Sequence, residues 1–447
     1  MNYKVYSLHN FKTIPQISKL TEEQIFDIEV VGRVLPFKTN NYVVDELIDW
    51  DKFETDPAFI LNFPQKGMLK PESYDKMATL LRRGADKKEI DAAIAEIRLD
   101  LNPHPAGQLE HNVPEVNGQK LIGVQHKYNE TALFFPSQGQ TCHAYCTFCF
   151  RWPQFSGMDD LKFAMKEIDL LIQYVKEHPE ITDILFTGGD PMVMSAKILG
   201  AYLNAIIDAD IPHLKSIRIG SKTLGFWPYR YLTDKDSDEI IALFKKVSDS
   251  GLHLAFMAHF NHHIELGTKA VQDAIKRILS TGAHIRTQSP LLNNINADGE
   301  VWSTMWRKQV DLGLIPYYMF IARDTGAQQY FKVGLEDAWN IFRQAYKSVS
   351  GICRTVRGPS MSAAPGKVQV SGITEIEGKK YYVLNFIQGR NEDWVGLPFF
   401  AEYDPNAVWL DDLKPAFGAE EFFYEEEYRR LTSKTKINDY DDIEKAS

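Results

Sequence analysis

Short apolar runs alternate with helical periodicity through the middle of the chain. TALFF (131–135), DILFT (183–187), SIRIG (216–220), LHLAFMA (252–258), AHIRTQS (283–289) and PYYMFI (316–321) read as strands bounded by turn residues. Between them apolar residues recur at helical spacing, as at Ile198, Leu199, Tyr202, Leu203, Ile206 and Ile207. The same spacing returns at Ala270, Val271, Ala274, Ile275, Ile278 and Leu279, and both stretches predict crossover helices. Strand starts at 183, 216, 252, 283 and 316 lie 33, 36, 31 and 33 residues apart. That is the size of a βαβ unit, and right-handed units in series build a parallel sheet or barrel. The interval from about 136 to 183 is longer because it carries a cysteine-rich loop ahead of a helix predicted over 161–178. The fold class expected is α/β, a partial (βα)6 barrel with that loop inserted at its mouth.

The flanks read differently. Residues 1–125 are mixed and helix-leaning, with one amphipathic segment over 74–99 and a turn-rich run at 101–118. They are expected to form a mainly helical N-terminal cap on a barrel domain spanning 126–365. Periodicity fades after Gly351, and 366–447 reads as a C-terminal extension of short strands ending in FGAEEFFYEEEYRR (417–430). That acidic, aromatic tail is expected to be solvated or docked and to carry no chemistry.

Composition narrows the function classes. With 447 residues, 44% hydrophobic and 25% charged, the chain has average globular usage, which excludes a disordered or fibrous protein. Lys and Arg number 50 against 60 Asp and Glu, a net charge of -10 that repels phosphate backbones and makes nucleic acid a poor partner. The N-terminus, MNYKVYSLHNFKTIP, has no apolar export segment, and no stretch approaches the roughly 20 apolar residues of a membrane span. No membrane partner is expected. Four cysteines cannot form a disulfide framework, and three of them crowd between 142 and 149, which points to metal in a reducing, cytoplasmic setting.

TCHAYCTFCFR places Cys142, Cys146 and Cys149 in a C-x3-C-x2-C pattern directly after the first barrel strand. On the residues alone three readings stay open. Structural zinc would want a fourth ligand, and His143, adjacent to Cys142, would strain the chelate. A [4Fe-4S] cluster held by three cysteines leaves one iron free to bind and activate a ligand, which suits catalysis. Inert cysteines are the third reading, and it is the one preferred for Cys353, expected as a small buried hydrophobe on a late strand.

Polar residues also collect at strand C-termini, the end of a parallel barrel where ligands bind. Phe186-Thr187-Gly188-Gly189-Asp190-Pro191 closes the second strand; its glycines allow close backbone approach, and Asp190 offers an acceptor for a ligand ammonium. Ser221, His259, Asn261, Gln288, Ser289, Arg323 and Asp324 follow the next four strands. Any one could cap a helix; together they describe a site.

The C-x3-C-x2-C loop after the first strand, with an aromatic between its last two cysteines, resembles the radical S-adenosylmethionine superfamily. In that superfamily the open iron chelates the methionine moiety of S-adenosylmethionine, and one electron cleaves the sulfonium to a 5'-deoxyadenosyl radical that abstracts a substrate hydrogen. Over about residues 100–390 the chain resembles the lysine 2,3-aminomutase family more sharply. The matching pieces are HKY (126–128), CHAYCTFCFR, ILFTGGDP, IRIGSKT (217–223), HFNH (259–262), QSPLLNNIN (288–296), PYY (316–318) and APGK (364–367). The resemblance implies that Lys367 forms an imine with pyridoxal 5'-phosphate, with Lys127 and Tyr128 also at the cofactor. It implies that Cys142, Cys146 and Cys149 hold the cluster. It further implies that Gly188, Gly189, Asp190, Ser221, His259, Asn261 and Gln288 bind S-adenosylmethionine, and that Arg151 grips the substrate α-carboxylate. The partners implied are a small amino-acid substrate and a one-electron reductant of flavodoxin or ferredoxin type, with a homo-oligomer left open.

Departures from the family bear on the substrate. Lysine-specific members place two carboxylates around the distal ammonium, where this chain has Arg323 and Ala363. An ammonium about 4 Å from a guanidinium is repelled by roughly 4 kcal/mol at an effective dielectric of 20. Relatives acting on glutamate lose both carboxylates and carry a cation, so Arg323 is expected to meet a distal anion, with Asp324 as a competing internal partner. Thr131 stands where an arginine for the cofactor phosphate is expected, leaving Lys127 of that basic pair. The reading is a radical 2,3-aminomutase acting on a non-lysine, acidic amino acid. The alternatives are a radical enzyme without pyridoxal phosphate, such as an epimerase or dehydrogenase, and an iron-sulfur redox sensor on a barrel.

Overall fold

The computed structural model describes residues 1–102, 112–156 and 164–433. Among them, seven strands run parallel in chain order: Thr131–Phe134, Asp183–Phe186, Ser216–Ser221, His253–His259, His284–Leu291, Ile315–Ile321 and Arg357–Ser362. The first six are those the apolar runs predict; the seventh lies beyond them. A helix crosses over between each successive pair: Ile168–Glu177, Ala196–Asp208, Ser237–Asp249, Lys269–Leu279, Gly299–Asp311 and Leu335–Lys347. Side chains of Ser195, Thr268 and Asp298 cap three of these helices by accepting from first-turn backbone N–H groups. The start of the helix expected over 161–178 lies outside the described residues.

Side-chain alternation divides each strand between two environments. Ile184, Phe186, Ile217 and Ile219 are fully buried beneath the helices, while Leu185, Arg218 and Gly220 face the opposite side and line a cavity. The sheet curls. Laid flat at about 4.8 Å per strand, the antiparallel strand Val124–Tyr128 at one end would lie roughly 34 Å from Arg357–Ser362. Instead Lys127 Nζ donates to the carbonyl of Ala363, one residue past that seventh strand, at 2.5 Å. A side chain thus bridges what the ladder leaves open.

Three features differ from the sequence expectation. The amphipathic segment over 74–99 is two helices, Pro71–Arg82 and Lys87–Asp100, broken at Gly84 in the left-handed region (φ 67°) and restarted by Asp86, whose carboxylate accepts from Glu89 N. The C-terminal strands are long rather than short: Gly366–Ile376 and Lys379–Gly389 form an antiparallel hairpin that continues the main sheet, with Pro398–Glu402 beyond. Their turn, Glu377-Gly378, has positive φ at both positions, the pattern of a tight hairpin. Cys353 is buried, as expected, but in a 3-10 turn over Gly351–Cys353 and not on a strand. The aromatic tail docks: Phe422 and Tyr424 are buried against Phe399, and Tyr424 also meets Phe386 and Trp394. Among the described residues no helix is long and apolar enough to cross a membrane.

Candidate active site

A cavity of about 440 Å³ opens at the C-terminal ends of the parallel strands, within the range of ligand pockets. Its wall includes all three loop cysteines, which are free of disulfides. The loop is held from two sides. From the N-terminal region, Thr147 N donates to Leu61 O at 3.0 Å and Tyr145 N to Lys38 O at 2.8 Å. From the barrel, Asp190 N donates to Thr141 O at 2.7 Å and to Gly139 O at 3.0 Å. Burial pushes the Cys149 thiol up to about 11 and raises those of Cys142 and Cys146 further, so the thiolates call for bound positive charge. His143, the fourth ligand a zinc site would want, has its Nδ1 3.2 Å from Thr223 Oγ1, and burial lowers its pKa to about 3. Among the described residues no group of three or more His, Cys, Asp or Glu side chains is placed as a single-ion chelate.

The glycine pair after the second parallel strand packs against the root of this loop. Gly188 takes φ 141°, and a Cβ at Gly189 would lie 2.5 Å from Thr141 O and 2.6 Å from Thr141 N. Gly189→Ala must therefore displace the backbone that presents Cys142. We expect it to cost about 2 kcal/mol or more in a denaturant titration. Gly220→Ala, whose Cβ would meet nothing closer than 3.5 Å, should cost far less.

Asp190 lines the cavity, and its carboxylate is held by a network of donors from the chain itself. Oδ2 accepts from Ser221 Oγ, Lys222 N and Thr223 Oγ1, each at 2.9 Å, and Oδ1 accepts from Met192 N at 2.9 Å. Three donors crowd Oδ2, while Oδ1 keeps one acceptor site. Asp190 and Ser221 thus tie the second and third strand ends together. Asn261 is fully buried behind the wall, donating through Nδ2 to Ser289 Oγ at 2.9 Å. His259 and Gln288 do reach the cavity. His259 is held neutral, its pKa lowered by burial and by Lys222. A register shift between Thr287 and Gln288 re-aims the strand just where Gln288 projects.

Cations gather at the other end of the cavity. Lys367, the second residue of its strand and not part of a loop, donates to Gln388 Oε1 at 2.9 Å and sits 4.1 Å from the Tyr318 ring centroid. Burial, then Arg357 and Arg218, lower its pKa to about 7. Lys127 is lowered well below the usual lysine range by burial, then by Arg390, Arg323 and Lys367; Tyr128 lies beside it. Arg151 and Arg323 lie over one ring, their guanidinium carbons 5.1 and 5.3 Å from the Phe150 centroid. Burial lowers Arg151 to about 10, with Cys149 opposing and Arg323 adding to the shift. Among the described residues neither arginine is in an ion pair. Asp324 is absent from the cavity wall, yet its charge acts on Arg323 and opposes the fall in pKa that burial causes there.

Several residues at the cavity escape the sequence reading. Arg218 donates to Thr131 Oγ1 at 3.1 Å and pairs with Asp183 on the strand between them, so a strand two places along the sheet delivers a guanidinium where Thr131 lacks one. Its signal was present: a charge at an inward position between buried Ile217 and Ile219 in a parallel strand. Gln388 faces Lys367 across the antiparallel ladder, and Arg390 follows two residues later; neither is among the residues the sequence singles out. No local pattern marks that pairing.

No family model matches the chain. Similar proteins do. A protein of Aquifex aeolicus named "Putative L-lysine 2,3-aminomutase" is 30% identical over 396 residues, covering 89% of this chain and 92% of its own. Glutamate 2,3-aminomutase of Clostridioides difficile is 28% identical over 340 residues (76% of this chain, 68% of that one). L-lysine 2,3-aminomutase of Clostridium subterminale is 28% identical over 255 residues (57% and 58%). A solved radical SAM methyltransferase from Sphaerobacter thermophilus superposes at TM-score 0.38 with 13% identity, covering 62% of this chain and 91% of that one, a likeness too low to bear weight. The alignment across nearly nine-tenths of both chains is what decides the matter: this chain belongs to the lysine 2,3-aminomutase family.

Proposed function

We propose that the protein is a pyridoxal phosphate-dependent 2,3-aminomutase acting on an amino acid with an acidic side chain. The observation that carries this reading is the pair Arg151 and Arg323, two guanidiniums that share the Phe150 ring at the cavity wall. Two guanidiniums buried side by side are costly, and an anionic ligand offsets that cost. The glutamate 2,3-aminomutase among the relatives supports the same substrate class.

The residues fit the cofactors. Cys142, Cys146 and Cys149 would hold a [4Fe-4S] cluster, with S-adenosylmethionine against Gly188, Gly189, His259 and Gln288, and pyridoxal phosphate on Lys367. When bound, these groups supply hydrogen-abstracting radical chemistry and a conjugated ring that delocalises the unpaired electron beside the migrating nitrogen. The chain's own part is to bind and orient. Arg151 would clamp the α-carboxylate next to the cysteine loop, and Arg323 the distal one, so the reacting carbons lie between them. Lys127 and Arg390 bring positive charge to the Lys367 end, where a phosphate would sit. Gln388 fixes the Lys367 amine by accepting one N–H. Reduction calls for a one-electron donor of flavodoxin or ferredoxin type, and an oxygen-sensitive cluster suits the reducing cytoplasm.

Anaerobic assays with glutamate, aspartate and lysine test the reading. Arg323→Met is expected to raise KM for the acidic substrate roughly 10- to 100-fold, as loss of a charge-assisted pair predicts, with kcat changed less. Turnover of lysine by the parent at rates above those of the acidic substrates would overturn it.

A further inference from the structure

Lys38 touches the cysteine loop from outside the cavity. It lies on the strand Lys38–Asn40, which pairs with Val5–Ser7. Its Nζ donates to the Cys142 carbonyl at 2.6 Å and to Thr141 Oγ1 at 3.4 Å, and stands 5.5 Å from the Tyr145 ring centroid. Its own carbonyl accepts from Tyr145 N. Head and backbone both grip the loop, and among the described residues no carboxylate lies within ion-pair distance of the ammonium. Lys222, the cation on the cavity side, differs. Its Nζ lies 2.6 Å from Glu265 Oε2 in a buried pair, so a carboxylate sits beside its charge, as none does beside Lys38 among the described residues.

Reducing a three-thiolate cluster adds one negative charge. Cluster potentials respond to net charge, hydrogen bonds and solvent access, and a partly buried cation is poorly screened. An uncompensated ammonium fixed to the first cysteine's carbonyl therefore favours the reduced form. We propose that Lys38 is a positioning residue of the N-terminal region that raises the reduction potential of the cluster. The proposal rests on the assignment of Cys142, Cys146 and Cys149 as its ligands.

The test is a potentiometric titration of the anaerobically reconstituted full chain, reduced by dithionite through mediators and read by electron paramagnetic resonance. Lys38→Met is expected to weaken the one-electron reduction equilibrium about tenfold, a midpoint shift of about 59 mV to more negative values. Lys38→Arg should stay within about twofold of the parent, because the charge remains. Tyr3→Phe, which deletes the 2.7 Å hydrogen bond from Tyr3 Oη to His143 O without changing charge, should also stay within about twofold. Should Lys38→Met fail to retain iron, Lys38→Gln, which keeps a donor for the Cys142 carbonyl, is expected to show the same shift. An unshifted Met or Gln variant, or a Tyr3→Phe shift as large as theirs, overturns the proposal. A parent chain that takes up no four-iron cluster defeats the ligand assignment itself, an outcome told apart by iron content before any titration.

Discussion

Cys146→Ser is expected to give a folded chain that releases 5'-deoxyadenosine from S-adenosylmethionine about a thousandfold more slowly, ~4 kcal/mol in barrier. It should hold little of the parent's iron. The two effects have one cause. The three cysteines line one cavity wall, and burial disfavours every one of their thiolates. Only a bound cationic core repays that cost, and a serine hydroxyl ionises far less readily than a thiol. Fold stability should be little affected, because Cys146 is half-buried and the loop backbone is anchored through its neighbours Tyr145 and Thr147. Cys353→Ser supplies the contrast: Cys353 is buried 3.6 Å from Ser350 Oγ, and replacing it should leave iron content and 5'-deoxyadenosine release as in the parent. Iron assay, anaerobic absorption and chromatography of the nucleoside read all three quantities.

The parts of this protein legible in its sequence share a physical property. Each parallel strand is covered by helices on one face and packed around the cavity on the other, so it reads as an apolar run whatever its neighbours. The cysteine loop and the polar strand ends are local patterns too. What stayed hidden depends on contacts between distant segments. The network around Asp190 is hidden because three of its four donors come from the next strand and the turn after it. Gln388 and Arg390 looked inert because only the ladder pairing with the Lys367 strand brings them to the site. The helix break at Gly84 belongs to a third kind: glycine followed by the Asp86 cap is a stop and a start in two residues, and an apolar period running across both obscured it.

Lys367→Ala is expected to abolish turnover, a loss of about 10⁴-fold or more, if Lys367 carries the cofactor as proposed, because the other lysine of the cavity, Lys127, is held on the Ala363 carbonyl. Its environment also predicts a pH dependence. An ordinary lysine with a pKa of 10.5 is neutral in about one molecule in 3,000 at pH 7. Burial and the guanidiniums of Arg357 and Arg218 bring Lys367 to about 7, so near half is the neutral nucleophile there. Covalent uptake of pyridoxal phosphate, trapped with borohydride and located by peptide mass, should fall tenfold per pH unit well below 7 and level off above it. Lys367→Arg keeps the charge and the reach yet offers no neutral amine, and should trap nothing at any of these values. Stability of the cofactor-free chain carries the same signature with its own sign. Because the folded pKa lies below the unfolded one, the unfolded chain binds more protons between about 7 and 10.5, and stability rises across that window. The cost of burying the ammonium is felt in full only below pH 7. Lys367→Met should therefore unfold at higher denaturant than the parent near pH 6, with the gap closing towards pH 10.5. A gap that does not change with pH would mean that Lys367 is charged in the folded chain at neutral pH, and that Gln388 and the Tyr318 ring stabilise an ammonium where the site requires an amine.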